Sequence, residues 1–459
     1  MNIALADLLS LKPITTGNLD ALQGRFFNGV SIDSRSVKKG NIFFGISGEK
    51  FNGNLFTRQA FTSGALCAVI EKGTDVQSFK TKPYLVVQDS AKSLGRLANV
   101  YRRKFDIPII AIAGSNGKTT TKEMICSVLN TQLSVLGTQG NLNNHIGVPM
   151  TLFRLNKSQD VAVVEIGTNH FGELTYLCDI LNPTHGLITN ISSEHLEFFR
   201  DLHGVARAEG ELFKALDKTG VGFVNADDSY ITSHAKYLKK KVTFGFTHSE
   251  ADVQGKFIGM DNGGFAQFGV KPRRKKMFSI QLSVPGMHAI RNALAAATIG
   301  CSFEIAPKNI QRGLKKFRTV SKRMEVQKVG GVKILNDTYN ANPESVRSAL
   351  ETLLSIKVRG KQIVVLADML ELGKASEIEH IKIGKMISRT SVSCLLTFGQ
   401  MAKMIHEHAN VPLKRHYNNK QKLAKDVINL LGSGDIVLVK GSRGMRMEEI
   451  VMSIIEHLN

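Results

Sequence analysis

Ile109-Ile110-Ala111-Ile112-Ala113-Gly114-Ser115-Asn116-Gly117-Lys118-Thr119-Thr120 runs from an apolar stretch through a glycine-rich turn into a helix start. Polyphosphate oxygens need backbone N–H groups within reach, which glycines permit, and a cation, which a lysine supplies. Gly114, Ser115, Asn116, Gly117 and Lys118 meet both needs, Thr119 offers a hydroxyl for the magnesium that travels with a nucleotide, and Thr120 completes the loop. This is the short G-x-x-G-K-T form, because Ile112 stands where the longer phosphate-loop pattern has its first glycine. Met124, Ile125, Val128 and Leu129 then share one face of a predicted helix over 119–129. Strand, phosphate cradle and helix are therefore expected in that order; a purely structural glycine turn is the alternative.

Outward from this loop, buried strands are expected at 161–164, 186–189, 222–225 and 242–246, alternating with helical stretches. That rhythm predicts a mostly parallel sheet with helices on both faces. Residues 1–84 hold short β-like runs at 29–32, 42–45, 68–70 and 84–87, separated by Gly and Asn turns, and suggest a small α/β unit. Beyond Lys316 the strand–helix alternation resumes at 332–335, 363–366, 394–398 and 436–439, as in a Rossmann-like domain. The expected fold is α/β with three domains, 1–84, 85–315 and 316–459, and 459 residues suit that number.

Composition narrows the function classes. No basic, apolar leader opens the chain and no run of about 18 apolar residues occurs, so neither export nor membrane insertion is expected. Five scattered cysteines without metal spacing fit a reducing cytoplasm. The net charge of +21 admits a nucleic-acid partner, a polyanionic small substrate or a basic proteome. The densest basic run, KPRRKK at 271–276, has no interleaved aromatic platform and is expected as a solvated hairpin or loop, which speaks against nucleic acid.

Magnesium also needs carboxylates, and Glu165 ends the strand predicted at 161–164, where it would face a nucleotide; a solvent-facing strand end is its bland alternative. His195, in TNISSEHLE at 189–197, follows another strand; a lone histidine is more often structural than a ligand, and at this place the two readings stand about even.

Together, GSNGKTTTKEM, GNLNNHIGVPMTL (140–152), the Glu165 strand and NISSEHLEFF resemble the Mur ligases of peptidoglycan synthesis. DTYNANPES (337–345), ADMLELG (367–373) and VKGSRGMRME (439–448) resemble the member that adds D-alanyl-D-alanine to UDP-N-acetylmuramoyl-tripeptide, and 30–56 is similar to the family's UDP-binding region. The resemblance implies ATP and Mg2+ as cofactors, with Lys118 on the ATP phosphates, Thr119 and Glu165 on magnesium, and His195 on a second magnesium. It places Asn292 near adenine and brings Arg323 and Asp337 to the nucleotide from the third domain. It assigns Ser31, Asp33, Ser34 and Arg35 to the uridine diphosphate, and Tyr339, Asn340 and Asn342 to the neighbourhood of nucleotide and incoming dipeptide.

Two departures stand out. Glu209 occupies the place of the family's carbamylated lysine, so a shorter carboxylate is expected to contact magnesium directly or through water. Ala289 stands where the family often has asparagine, which weakens the case for adenine recognition there. The rivals are another amide ligase of the superfamily, either an earlier Mur enzyme or the folate enzyme, which lacks a UDP domain, and a phosphate-loop ATPase that ligates nothing. A monomer is the default expectation.

Overall fold

The computed structural model describes residues 1–49 and 51–459. Three sheets carry the chain, besides a two-stranded pairing of Ile3–Ala4 with Phe26–Phe27. The first has five strands in the order Thr15–Gly17, Tyr84–Val87, Cys67–Glu71, Asn41–Phe44 and Gly29–Ser31, all parallel except the outermost Thr15–Gly17. Because Tyr84–Val87 is a full member of this sheet, a division after 84 cuts through a strand.

The nine-stranded central sheet is mostly parallel, with Ile109–Ala113 flanked by Val161–Glu165 and His185–Ile188. One side continues as an antiparallel meander, Val253–Met260, Phe265–Pro272 and Phe278–Pro285, which the strand–helix rhythm did not suggest. Arg273, Arg274, Lys275 and Lys276 are exposed at its second turn, a solvated hairpin as expected. Helix Lys118–Leu129 buries Met124, Ile125, Val128 and Leu129 against helices Met287–Ser302 and Pro307–Lys316. Each such side chain contributes roughly 1.5–3 kcal/mol of transfer free energy, so the helix that follows the phosphate loop is held firmly at its base.

The third sheet has six strands in the order Glu325–Val329, Val332–Asp337, Ile436–Lys440, Gln362–Ala367, Cys394–Phe398 and Leu413–Tyr417, parallel except for the first pair. Apolar clusters cover both of its faces. By contrast, a single apolar cluster runs from Ile3 in the first unit through helix Ser90–Arg102 to Ala235 in the central one. Among the described residues no helix is long and apolar enough to cross a membrane.

One buried histidine makes the fold sensitive to acid. His185 lies against Phe223 and Phe303, and burial pushes its imidazolium down to about 4. Between pH 6.5 and about 4 the unfolded chain takes up a proton that the folded chain refuses, so stability falls as pH drops through that window, by roughly 3 kcal/mol at most. Thermal midpoints of wild type and His185→Asn should diverge with increasing acidity, the variant falling less; parallel pH profiles would contradict this.

Candidate active site

The C-terminal ends of three neighbouring parallel strands, Ile109–Ala113, Val161–Glu165 and His185–Ile188, bring their following loops together. Open α/β sheets bind ligands at this edge. The first loop bends where only glycine fits. Gly114 has φ +113, and a Cβ there would lie 2.7 Å from the Thr189 backbone nitrogen; Gly117 has φ +80 and would meet Asn292 Oδ1 at 2.8 Å. The loop is braced by the third: Asn116 N donates to Asn190 Oδ1 at 2.9 Å, Asn116 Nδ2 to Ser192 Oγ at 2.6 Å, and Ser192 N to Ser115 Oγ at 2.9 Å.

Lys118 Nζ turns back onto Gly114 O at 2.5 Å and Ser115 O at 3.3 Å. Burial works against its charge, yet the carboxylates of Glu194, Glu209 and Glu165 hold it above its ordinary value, with Arg323 opposing them. Thr119 Oγ1 donates to Glu165 Oε2 at 2.8 Å, and Asn143 Nδ2 to Glu165 Oε1 at 2.9 Å. Thr119 and Glu165 are buried neighbours with hard oxygen atoms, a donor set that fits Mg2+, which takes few protein ligands and completes its shell with water and phosphate. Among the described residues no three His, Cys, Asp or Glu side chains form a closed metal cage.

Glu209 and His195 each have a partner of their own. Glu209 is buried under the loop, and its Oε2 accepts a hydrogen bond from Gly114 N at 2.6 Å. Burial above all, reinforced by Glu194 and offset by Lys118, Gly114 N–H and His195, pushes its carboxyl up to about 7. His195 Nδ1 lies 2.6 Å from Glu371 Oε2 of the third unit. Burial disfavours the imidazolium, but Glu371 and Glu194 prevail and raise it above its ordinary value. His195 (φ +48) and Glu371 (φ +63) both take left-handed backbone, which costs non-glycine residues of order 1–3 kcal/mol and persists where surrounding contacts impose it.

The third unit forms the facing wall. Asn342 caps helix Pro343–Ser355 by accepting from Ser345 N, while its Nδ2 donates to Asn116 Oδ1 at 2.9 Å. Asp337 and Lys440 end adjacent strands in register and pair at 2.6 Å, and Lys440 Nζ also donates to Asn340 O at 2.8 Å. Arg323 stacks its guanidinium 3.7 Å from the Tyr339 ring centroid.

Between the walls lies a cavity of about 1000 Å³. Lys118, Thr119, Thr120, Glu165, His195 and Asn292 line it from the central unit, and Arg323, Asp337, Tyr339, Asn340 and Asn342 from the third. Ser115, Asn116 and Gly117 face it too, while Gly114 and Glu209 lie beneath. Ser31, Asp33, Ser34 and Arg35 are not brought to this cavity. They form their own cluster in the first unit, where Arg35 pairs with Asp33 at 2.8 Å and, by hydrogen bonds from its side chain and backbone, holds that carboxyl down at about 2. Ser31 Oγ donates to Asp33 O at 2.9 Å, and Ser34 Oγ to Gln59 Oε1 at 2.9 Å. Asn143, Ser192, Glu194, Lys440, Glu371 and Arg443 went unassigned in the sequence, although each lies inside a motif quoted there; their roles arise from pairings between distant segments.

Comparison with known proteins agrees with this geometry. The family models "Mur ligase family, catalytic domain", "Mur ligase middle domain" and "Mur ligase, glutamate ligase domain" match residues 27–113, 112–300 and 322–443. The chain is 34% identical over 434 residues to the UDP-N-acetylmuramoyl-tripeptide--D-alanyl-D-alanine ligase of Bacillus subtilis (strain 168), covering 94% of this chain and 93% of that one. Its fold matches a crystal structure of MurF from Acinetobacter baumannii with a TM-score of 0.90 at 28% identity, covering 99% of both chains. It matches MurF ligase from Thermotoga maritima in complex with ADP with a TM-score of 0.83 at 26% identity, covering 94% of this chain and 97% of that one. With its three units, phosphate loop and facing wall, the chain belongs to the Mur ligase family.

Proposed function

We propose that this enzyme uses ATP to join D-alanyl-D-alanine to the terminal carboxylate of UDP-N-acetylmuramoyl-tripeptide, forming the pentapeptide precursor of peptidoglycan and releasing ADP and phosphate. The observation that carries the reading is the meeting of the phosphate loop with the third unit, Asn116 with Asn342 and His195 with Glu371, around one cavity large enough for nucleotide and acceptor. The relatives' substrates and the match to the ADP complex support it.

Two bond changes make up the reaction. A carboxylate oxygen bonds to the γ-phosphorus as the bond to ADP breaks, giving an acyl phosphate; the amine nitrogen then bonds to the acyl carbon as phosphate leaves and the amine loses its proton. Carboxylate and triphosphate repel, so the enzyme's work is to neutralise charge and hold the atoms in line. Lys118 leaves Gly114 O and Ser115 O for phosphate oxygens. Thr119 and Glu165 would hold magnesium, which neutralises phosphate charge when bound. Asn116 N is held by Asn190 Oδ1, so the amides that follow it, at Gly117, Lys118 and Thr119, orient the phosphates, and Ser31 to Arg35 anchor the distant uridine diphosphate end. Unpaired cysteines support a cytoplasmic setting, and we take the working species as a monomer.

The deciding assay combines ATP, D-alanyl-D-alanine and a UDP-N-acetylmuramoyl-tripeptide ending in meso-diaminopimelate or in lysine. Pentapeptide mass with stoichiometric ADP is the expected result; ADP release without either acceptor, and no pentapeptide, would leave an ATPase instead.

Glu209 gives a separate expectation. At pH 8, where the Glu209 carboxyl is ionised, Glu209→Gln keeps an acceptor for Gly114 N but removes the charge facing Lys118, so kcat should fall by about tenfold or more while the melting temperature holds. Wild-type activity in this variant would deny the Glu209 charge any part in catalysis, magnesium binding included.

A further inference from the structure

Beside the main cavity lies a second one of about 280 Å³, which shares His195, Tyr339, Asn340 and Asn143 with it. It is small against the ~300–1,000 Å³ of common ligand pockets and suits a compact molecule. Its lining includes one carboxylate, Glu371, one guanidinium, Arg443, and the apolar side chain of Leu370. The two charged residues sit on loops fastened to each other: Leu370 N donates to Ser442 Oγ at 2.8 Å, and Ser442 N to Asp368 O at 3.1 Å. A buried histidine fixes the first loop from behind, His380 Nε2 accepting from Met369 N at 3.0 Å. Asn340 Oδ1 accepts from Arg443 N at 3.4 Å, and the Arg443 guanidinium lies 5.4 Å from the Tyr339 ring centroid. The pocket also has a direction. Both charged residues touch the wall shared with the main cavity. Glu371 pairs with His195, which lies close enough to Lys118 of the phosphate loop for their charges to oppose each other, whereas Arg443 leans on Tyr339 and Asn340 of the third unit.

We propose that Glu371 and Arg443 are the two poles of the acceptor pocket, Glu371 receiving the ammonium group of the dipeptide and Arg443 its carboxylate. Leu370 then lies beside the small side chains, and His195 acts as a positioning residue that turns Glu371 toward the phosphate cavity. A free dipeptide has one group for each pole, and the direction of the pocket puts the reacting nitrogen at the end nearest the acyl phosphate. The inference rests on the ligase reading above and adds to it the groups that choose the amine.

The test compares D-alanyl-D-alanine with D-alanyl-D-alaninamide, which keeps the amine and lacks the carboxylate charge. Wild type should prefer the free acid by about 30-fold or more in kcat/KM, as expected for a charge-assisted contact to Arg. Arg443→Ala should reduce the preference to within about threefold, with Arg443→Lys between them. Arg443 is exposed, and a melting curve verifies that each variant is folded. For the other pole, N-propionyl-D-alanine, which lacks the ammonium group, serves as a competitive inhibitor. It should bind wild type more weakly than the dipeptide does, and Glu371→Gln should close that gap. Wild type without preference for the free acid, or Arg443→Ala with the preference intact, overturns the proposal for Arg443; an unchanged gap in Glu371→Gln overturns it for Glu371. If wild type makes no pentapeptide from either acceptor, the ligase reading itself fails, and the pocket assignment with it.

Discussion

Lys118→Met is expected to lower kcat/KM for ATP by about 10³-fold, the scale of losing one preorganised cation from phosphoryl transfer. Its protein partners are the carbonyls Gly114 O and Ser115 O, both in its own loop, so the fold loses little when it goes. What the site loses is the cation facing Glu194, Glu209 and Glu165. Without it three carboxylates confront an incoming triphosphate, and the penalty falls on binding and on the transition state alike. Steady-state ADP release in the presence of both acceptors measures the effect. A residual activity above a tenth of wild type would mean that another cation, Arg323 being the nearest candidate in charge, already carries the phosphates.

Asp337→Ala should destabilise the third unit by about 3–5 kcal/mol, because it leaves Lys440 as an uncompensated buried charge. Lys440 is only 2% exposed and cannot turn to water without unpacking the strand that carries it. Met324 N, which donates to Asp337 Oδ1 at 3.0 Å, loses its acceptor as well. Activity should drop with stability, by about 10²-fold, because Lys440 also holds Asn340 in the cavity wall. Urea unfolding followed through the third unit gives the stability change. The double variant Asp337→Leu/Lys440→Met should regain most of the stability and little of the activity, since an apolar pair can replace a buried ion pair but cannot position Asn340. An unchanged denaturation midpoint in the single variant would show that the pair is worth nothing to the fold.

The sequence made the site's first wall legible and left the second obscure. Ile109–Ala113, the glycine loop and the helix after it follow local rules of apolar periodicity and phosphate chemistry, and they lie where those rules put them. Strands with buried β-rich runs, such as Val161–Glu165 and Ile436–Lys440, were equally plain. Leu413–Tyr417 and Glu325–Val329 were missed because edge strands carry charge to prevent further pairing, so LKRHY and EVQKV do not stand out as apolar runs. The meander from Val253 to Pro285 was missed as well, having glycines within its strands and no helix between them. Family resemblance brought Glu165 and His195 forward as ligands, and the structure gives each a partner of its own, Thr119 and Glu371. Glu209 was expected at a magnesium ion; its Oε2 accepts from Gly114 N, a contact that depends on one buried helix packing beneath the loop and that no local rule could show. Glu371 and Arg443 could not be singled out at all, since their significance comes from His195 and from Tyr339 and Asn340 in other parts of the chain.

The apolar cluster that runs from Ile3 to Ala235 sets a timetable for synthesis. A ribosome delivers the first sheet and the Ser90–Arg102 helix early, but Leu174, Leu177, Phe213 and Ile231, which cover the same cluster, come much later. At roughly 5–20 residues per second, about 6–24 s separate the emergence of Ala113 from that of Ala235. For that interval the nascent chain displays an apolar face only partly covered, an opening for chaperones and for aggregation. The third unit, whose clusters draw mainly on residues after Lys316, keeps a later and separate schedule.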